Sequence, residues 1–171
     1  KKMLLKKLTL TNFRPFKGEH VIEFSTDKEK NITLVMAENG AGKTTLAQAF
    51  QWALYSKTDG FKNKSVLNSI VEKEMMGGTE STVSVKLELE HNNIDYTIIR
   101  KQVYKKDING FLKQEGSTVE IYQKQDDGQT VIVNPIKNLS TISNILPESL
   151  SKYFFFDGEH ICVPCCLDPS Q

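Results

Sequence analysis

Residues 31–45, Asn-Ile-Thr-Leu-Val-Met-Ala-Glu-Asn-Gly-Ala-Gly-Lys-Thr-Thr, constrain the fold more than any other stretch of the chain. An apolar, β-branched run at 32–36 leads through a glycine-containing loop into good helix formers that begin at Lys43. A strand that feeds such a loop and then opens a helix is a phosphate cradle. Glycines let successive backbone N–H groups point inward, and the helix N-terminus adds partial positive charge. On this pattern Glu38, Asn39, Gly40, Ala41 and Gly42 wrap the phosphates. Lys43 reaches the β- and γ-phosphates, the Thr44 hydroxyl holds Mg²⁺, and Thr45 completes the stretch. The full pattern, G-x-x-x-x-G-K-[ST], is broken only by Ala37 in place of the first glycine, and alanine fits there if φ stays negative. An ordinary glycine turn is the alternative, but the complete strand, loop and helix context favours a nucleotide-binding chain.

With 171 residues the chain is long enough for one domain with a sizeable core. No apolar run approaches the roughly 20 residues of a membrane span. The first residues carry too few apolar side chains for a signal peptide, so a cytoplasmic location is the expectation. A net charge of +1 implies no polyanion partner by itself. Residues 1–30 nevertheless carry eight Lys/Arg against four Asp/Glu. Arg100, Lys101, Lys105 and Lys106 form a second basic cluster, read either as a solvated face or as a nucleic-acid footprint. Cys162, Cys165 and Cys166 crowd with His160 into the last residues. A zinc site usually draws ligands from two separated pairs, so reduced thiols in an irregular tail over 162–171 are expected instead.

Taken in order, residues 3–12 read as a strand, 12–18 as a turn punctuated by Pro15 and Gly18, and Val21–Phe24 as a second, antiparallel strand. The run at 32–36 reads as a central strand. The helix after the loop extends from Lys43 to about Ser56, with Leu46, Ala49, Phe50, Ala53 and Leu54 on one face for packing on a sheet. Trp52 lies off that stripe and is assigned to packing rather than to adenine stacking. A polar loop over 57–65 and a short helix over 66–75 follow. From Thr82 the period becomes two: Val83, Val85, Leu87 and Leu89 alternate with polar residues. A turn at His91-Asn92-Asn93 and a strand from Ile94 to Tyr104 complete a hairpin, and short strands are expected at 118–124 and 130–133. Pro135 starts a helical segment to about Ile145, and Pro147 another. Phe154 to Phe156 read as a buried aromatic strand.

The predicted fold is therefore α/β: a phosphate-loop lobe with a core helix after the loop and an antiparallel β-layer, where a doubly wound sheet would alternate strands with helices. Leu8 to Phe16 (L-T-L-T-N-F-R-P-F), Glu38 to Thr44 (E-N-G-A-G-K-T) and the β-region resemble the ATPase heads of SMC proteins and SbcC-type double-strand-break-repair proteins, within the ABC class. The likeness extends over residues 1–161. It implies ATP and Mg²⁺ as cofactors, DNA as partner through a full-length protein, and a second ATPase head that sandwiches the nucleotide. It also implies that Arg14 stands near the phosphates; its alternative is a surface arginine in a turn. Tyr153 to Glu159 (Y-F-F-F-D-G-E) with Ile161 is similar to the DndD family of DNA phosphorothioation ATPases, which implies partners among modification or defence proteins. Aligning Gly158 with the Q-loop glycine of such heads puts Asp157 in the glutamine's place as a metal-binding, catalytic carboxylate, with Glu159 as the competing candidate.

A family head also has a second lobe with a Leu-Ser-Gly-Gly signature, an acidic Walker B strand and a switch histidine, and the sequence contains none of these. The expectation is a first lobe alone. Two other readings compete with a DNA-directed ATPase. One is a non-catalytic nucleotide-binding module. The other is a small-molecule phosphotransferase, which would need a lid with arginines where the chain has only Arg14 and Arg100.

Overall fold

The computed structural model describes residues 3–36, 38, 40, 42–58, 65–125 and 127–154. Its strands are β1 (Met3–Phe13), β2 (Phe16–Glu23), β3 (Glu80–His91), β4 (Ile94–Lys106), β5 (Leu112–Gln114), β6 (Thr118–Lys124) and β7 (Thr130–Ile132). Its helices are α1 (Lys43–Tyr55), α2 (Ser69–Glu74), α3 (Asn138–Ile145) and α4 (Ser151–Phe154), with 3₁₀ turns at Pro135–Lys137 and Glu148–Leu150.

Among the described residues the strands form one antiparallel sheet in the order β2-β1-β3-β4-β6-β7, with β5 alongside β4. The period of two makes one face of this sheet apolar. Leu8 and Leu10 on β1, Val83, Val85, Leu87 and Leu89 on β3, Ile98 on β4 and Ile121 on β6 are all buried. Register aligns them in rows, with Leu8 opposite Leu87, Leu87 opposite Ile98, and Ile98 opposite Ile121. The opposite face carries Lys7, Lys86, Lys101 and Glu120, whose half-exposed side chains reach solvent.

Helix α1 covers the apolar face with Ala49, Phe50, Trp52, Ala53 and Leu54, all buried. Trp52 is 1% exposed and its ring centroid lies 5.5 Å from that of Phe13, so the side chain is core, as expected. The strip predicted from helical spacing is present, with Leu46 only partly buried at its edge. The pairing β3–β4–β6–β7 matches the predicted β-layer. The three-residue β5, a polar Leu-Lys-Gln segment, is too short to show a period and leaves no pattern in the sequence.

Two expectations are corrected. Residues 31–36 form no strand, and Ile32, Leu34 and Met36 are 84%, 79% and 83% exposed. An apolar run becomes a central strand only where neighbouring strands pair with both its edges, and no described strand pairs with this one. Phe154 does not lie in a buried strand either: Tyr153 and Phe154 belong to the short α4 and are 65% and 55% exposed. Three aromatic residues in a row satisfy strand and helix templates equally, so periodicity does not choose between them. Phe155 and Phe156 lie outside the described residues. No described helix is long and apolar enough to cross a membrane.

Candidate nucleotide site

The loop enters α1 through glycines in the left-handed region. Gly40 has φ +83° and Gly42, the N-cap, has φ +103°. The left-handed backbone favours glycine at Gly42, and a Cβ added there would stand a tight 3.1 Å from Phe16 Cζ and 3.1 Å from Pro15 Cγ. This contact seats the β1–β2 turn on the phosphate loop. Residues far apart in sequence thereby frame one concavity.

The first turn of α1 suits an anion. No side chain caps the helix, and no acid lies in the first turn. Lys43 and Thr44 are exposed there and Thr45 is half-buried. The Lys43 side chain folds back over the loop, and Nζ donates to the Glu38 carbonyl oxygen at 3.1 Å. An ammonium beside left-handed glycines at an acid-free helix N-terminus suits a triphosphate, so the described residues fit such a group. The described parts of the predicted cradle, Glu38, Gly40, Gly42, Lys43, Thr44 and Thr45, thus come together at one helix end. Asn39 and Ala41, like Ala37, lie outside the described residues.

Arg14 occupies the turn that abuts this loop. Its backbone is left-handed, φ +52°, and is stitched to the segment before α2. Arg14 N donates to Val66 O at 2.9 Å, Asn68 Nδ2 donates to Arg14 O at 2.6 Å, and Arg14 Nη1 donates to Ser65 O at 3.2 Å. Its neighbours Pro15 and Phe16 make the described contact with the loop.

Asp157, Gly158 and Glu159 lie outside the described residues, as do His160 and the three cysteines. Among the described residues no three His, Cys, Asp or Glu side chains gather as a metal site. Phe154, the last described residue, lines the same cleft of about 480 Å³ as Lys43, Thr33 and Phe50. Most of that lining is apolar (Leu5, Leu8, Phe24, Leu46), which does not suit a triphosphate. The cleft is an uncovered side of the core beside the phosphate loop.

The second basic cluster is corrected. Arg100 is 5% exposed and faces α1, where Nε donates to Ala53 O at 3.0 Å and Nη2 to Leu54 O at 3.3 Å. Lys106 Nζ donates to the carbonyls of Glu72 and Met75, both at 3.1 Å. Lys101 pairs with Glu120 at 3.3 Å, and Lys105 with Glu115 at 3.6 Å and Glu80 at 3.9 Å. Arg100 and Lys106 bind backbone carbonyls within the fold, and a buried Arg100 touches no polyanion, whereas Lys101 and Lys105 stay about half exposed, as a solvated face would. A signal is present in the sequence: Ile98, Arg100, Gln102 and Tyr104 share one parity, and that parity faces the core.

A family model described as an AAA domain matches residues 7–160, nearly the whole chain and all of the loop–helix site. The chain belongs to the AAA-domain family. This AAA domain is similar to a DNA double-strand break repair Rad50 ATPase of Methanococcus maripaludis, 31% identical over 130 residues, or 73% of this chain and 12% of that protein. The SbcC component of the SbcCD nuclease of Vibrio cholerae is 28% identical over 132 residues, 75% of this chain and 13% of that protein. The corresponding component from Staphylococcus haemolyticus is 33% identical over 114 residues, 66% and 10% respectively. The AAA domain thus spans about an eighth of the length of the first two relatives. The α/β lobe with its antiparallel sheet agrees with this family and with the fold expected from sequence.

Proposed function

We propose that this AAA domain is the ATP-binding lobe of an SMC-like ATPase that acts on DNA. The observation that carries the reading is the uncapped, acid-free N-terminus of α1, with Gly42 in the left-handed region and Lys43 folded over the loop. Lys43 and the loop amides would hold the β- and γ-phosphates, and the Thr44 hydroxyl would take a place on Mg²⁺. Asp157, or Glu159, would supply a carboxylate to the same ion. Phe154 already reaches the cleft beside Lys43, and three residues of chain span at most about 10 Å. When bound, Mg²⁺ neutralises charge on the phosphates; the part of these residues is to position it.

The lobe is proposed to be completed by a second lobe of the same protein. Support comes from the exposed apolar run at 32–36 and from a groove of about 720 Å³ lined by Met3, Leu5, Ile145, Leu146, Leu150 and Phe154. Two such uncovered core surfaces share Leu5 and Phe154. A layer laid on them would bury them together, and the relatives are several times longer than this chain.

Calorimetric titration with MgATP tests the site. The chain is expected to bind ATP, and Lys43→Ala to lose about 2–4 kcal/mol of affinity, the loss typical of one partner deleted from a buried charged contact. Phosphate release is expected to stay at background, because hydrolysis needs water positioning and charge stabilisation that the described residues do not supply. Equal affinity in Lys43→Ala would end the nucleotide reading. Release that saturates with ATP and vanishes in Lys43→Ala would show that the lobe acts unaided.

The relatives' names favour break repair as the pathway. The run from Tyr153 to Glu159 favours DNA phosphorothioation as a second reading, with modification or defence proteins as partners. Deleting the gene separates them: sensitivity to double-strand breaks supports the first, and loss of phosphorothioate from DNA supports the second.

A further inference from the structure

Helix α1 has no basic residue in its last turn, so its own sequence leaves the final carbonyls and the negative end of the helix dipole uncompensated. The missing cation comes from another element. Arg100, at an inward position of β4, donates from Nε to Ala53 O and from Nη2 to Leu54 O, while Nη1 reaches Ser117 Oγ at 3.3 Å. Ser117 Oγ in turn lies 2.9 Å from Ser56 Oγ, at the residue that ends the helix in a left-handed conformation. Burial pushes the guanidinium down to about 10, which leaves it protonated at neutral pH.

An apolar residue of similar size at this position would fill the core without removing a charge from water. The guanidinium offers something an apolar side chain cannot, a planar fork that fixes two consecutive carbonyls and a hydroxyl in one geometry. The opposite end of the same helix is the phosphate site, where no side chain caps Gly42. Thirteen residues make a rod of about 20 Å, and a rod clamped at one end transmits its axial position and rotation to the other.

We propose that Arg100 is a positioning residue for the nucleotide site: by clamping the C-terminal end of α1 to β4, it sets where Lys43 and Thr44 stand. The proposal rests on the ATP-binding reading above. Lysine cannot replace it, because one ammonium on a flexible stem cannot hold both carbonyls and Ser117 in a fixed plane.

The test compares Arg100→Lys, Arg100→Met and Ser117→Ala with the parent chain, with three measurements on each. These are MgATP affinity, the apo melting temperature, and amide hydrogen exchange of residues 43–46 against 49–52 within α1. Arg100→Lys is expected to remain folded and to lose about tenfold or more in ATP affinity, since a misplacement of about 1 Å in a phosphate site is that severe. MgATP should slow exchange at 43–46 less than it does in the parent, while 49–52 keep their protection. Ser117→Ala should show the same pattern with a smaller loss. A lower melting temperature with unchanged affinity and uniformly faster exchange would make Arg100 merely structural and overturn the proposal. If neither Arg100 variant folds, Ser117→Ala decides, and parental affinity in it overturns the proposal. ATP binding lost in Lys43→Ala but kept in Arg100→Lys defeats this proposal alone. A parent chain that binds no ATP defeats the nucleotide reading and this proposal together.

Discussion

Tyr55, the last residue of α1, shows how one side chain ties chemistry to stability. Its hydroxyl donates to the Leu146 carbonyl at 2.9 Å, joining α1 to the end of α3. Burial, with the nearby Glu148 carboxylate, pushes the phenol up from 10.0 to about 12. The folded state therefore holds this proton more tightly than the unfolded chain does. The resulting stability is complete below pH 10 and is lost as pH rises through about 12. Melting temperatures of the parent and Tyr55→Phe across this window are expected to converge as pH rises. Subtracting the variant removes the contribution of other groups, Arg100 among them. A difference that stays constant from pH 9 to 12 would show that the phenol does not titrate as its surroundings require. Residue-scale chemistry of this kind is only half legible in sequence. Motif spacing places Lys43 and Thr44, because the loop is local. The parity of β4 points Arg100 inward, but the carbonyls it binds there belong to α1, which lies far from it along the chain.

At the scale of elements, α2 and the β1–β2 turn act as one unit through Asn68. This buried residue caps α2, its Oδ1 accepting from Ile70 N at 3.0 Å and Val71 N at 3.1 Å. Its Nδ2 holds the Arg14 carbonyl at 2.6 Å, and its backbone N–H donates to Asn12 O at 2.8 Å. A six-residue helix has little stability of its own, so the cap and its tertiary bonds decide whether it forms. Asn68→Ala is expected to cost about 1–3 kcal/mol, combining a lost cap with a buried carbonyl left without its donor. Denaturant unfolding checks this, and a change below about 0.5 kcal/mol would show the turn and helix to be independent. The same substitution should loosen the seat of Pro15 and Phe16 on Gly42. The short helix over 66–75 is visible in sequence. The bridge between Phe13 and Leu67 that locks it to β1 is not, because it pairs segments separated by α1.

At the scale of the molecule, the sheet and α1 bury one face well and leave another bare. Ile32, Leu34 and Met36 project from a segment without a strand partner among the described residues. Replacing all three with serine is expected to change stability by less than about 0.5 kcal/mol, as for exposed positions, and to reduce binding of a hydrophobic dye. A loss of several kcal/mol would mean that the run is buried within this chain. Sequence alone determined the helix that starts at Lys43, the hairpin of β3 and β4 and the α/β class, because each follows from local conformational preference and periodicity. Tertiary structure decided which apolar segments are covered. The run at 32–36 and the helix face at 49–54 look equally fit for a core, yet only the second has a sheet to lie against. Tertiary structure likewise turned Arg100 inward and seated Pro15 and Phe16 on Gly42. Burial is a property of neighbours brought together by the fold, and a residue's own pattern records its fitness to be buried, not the presence of the surface that buries it.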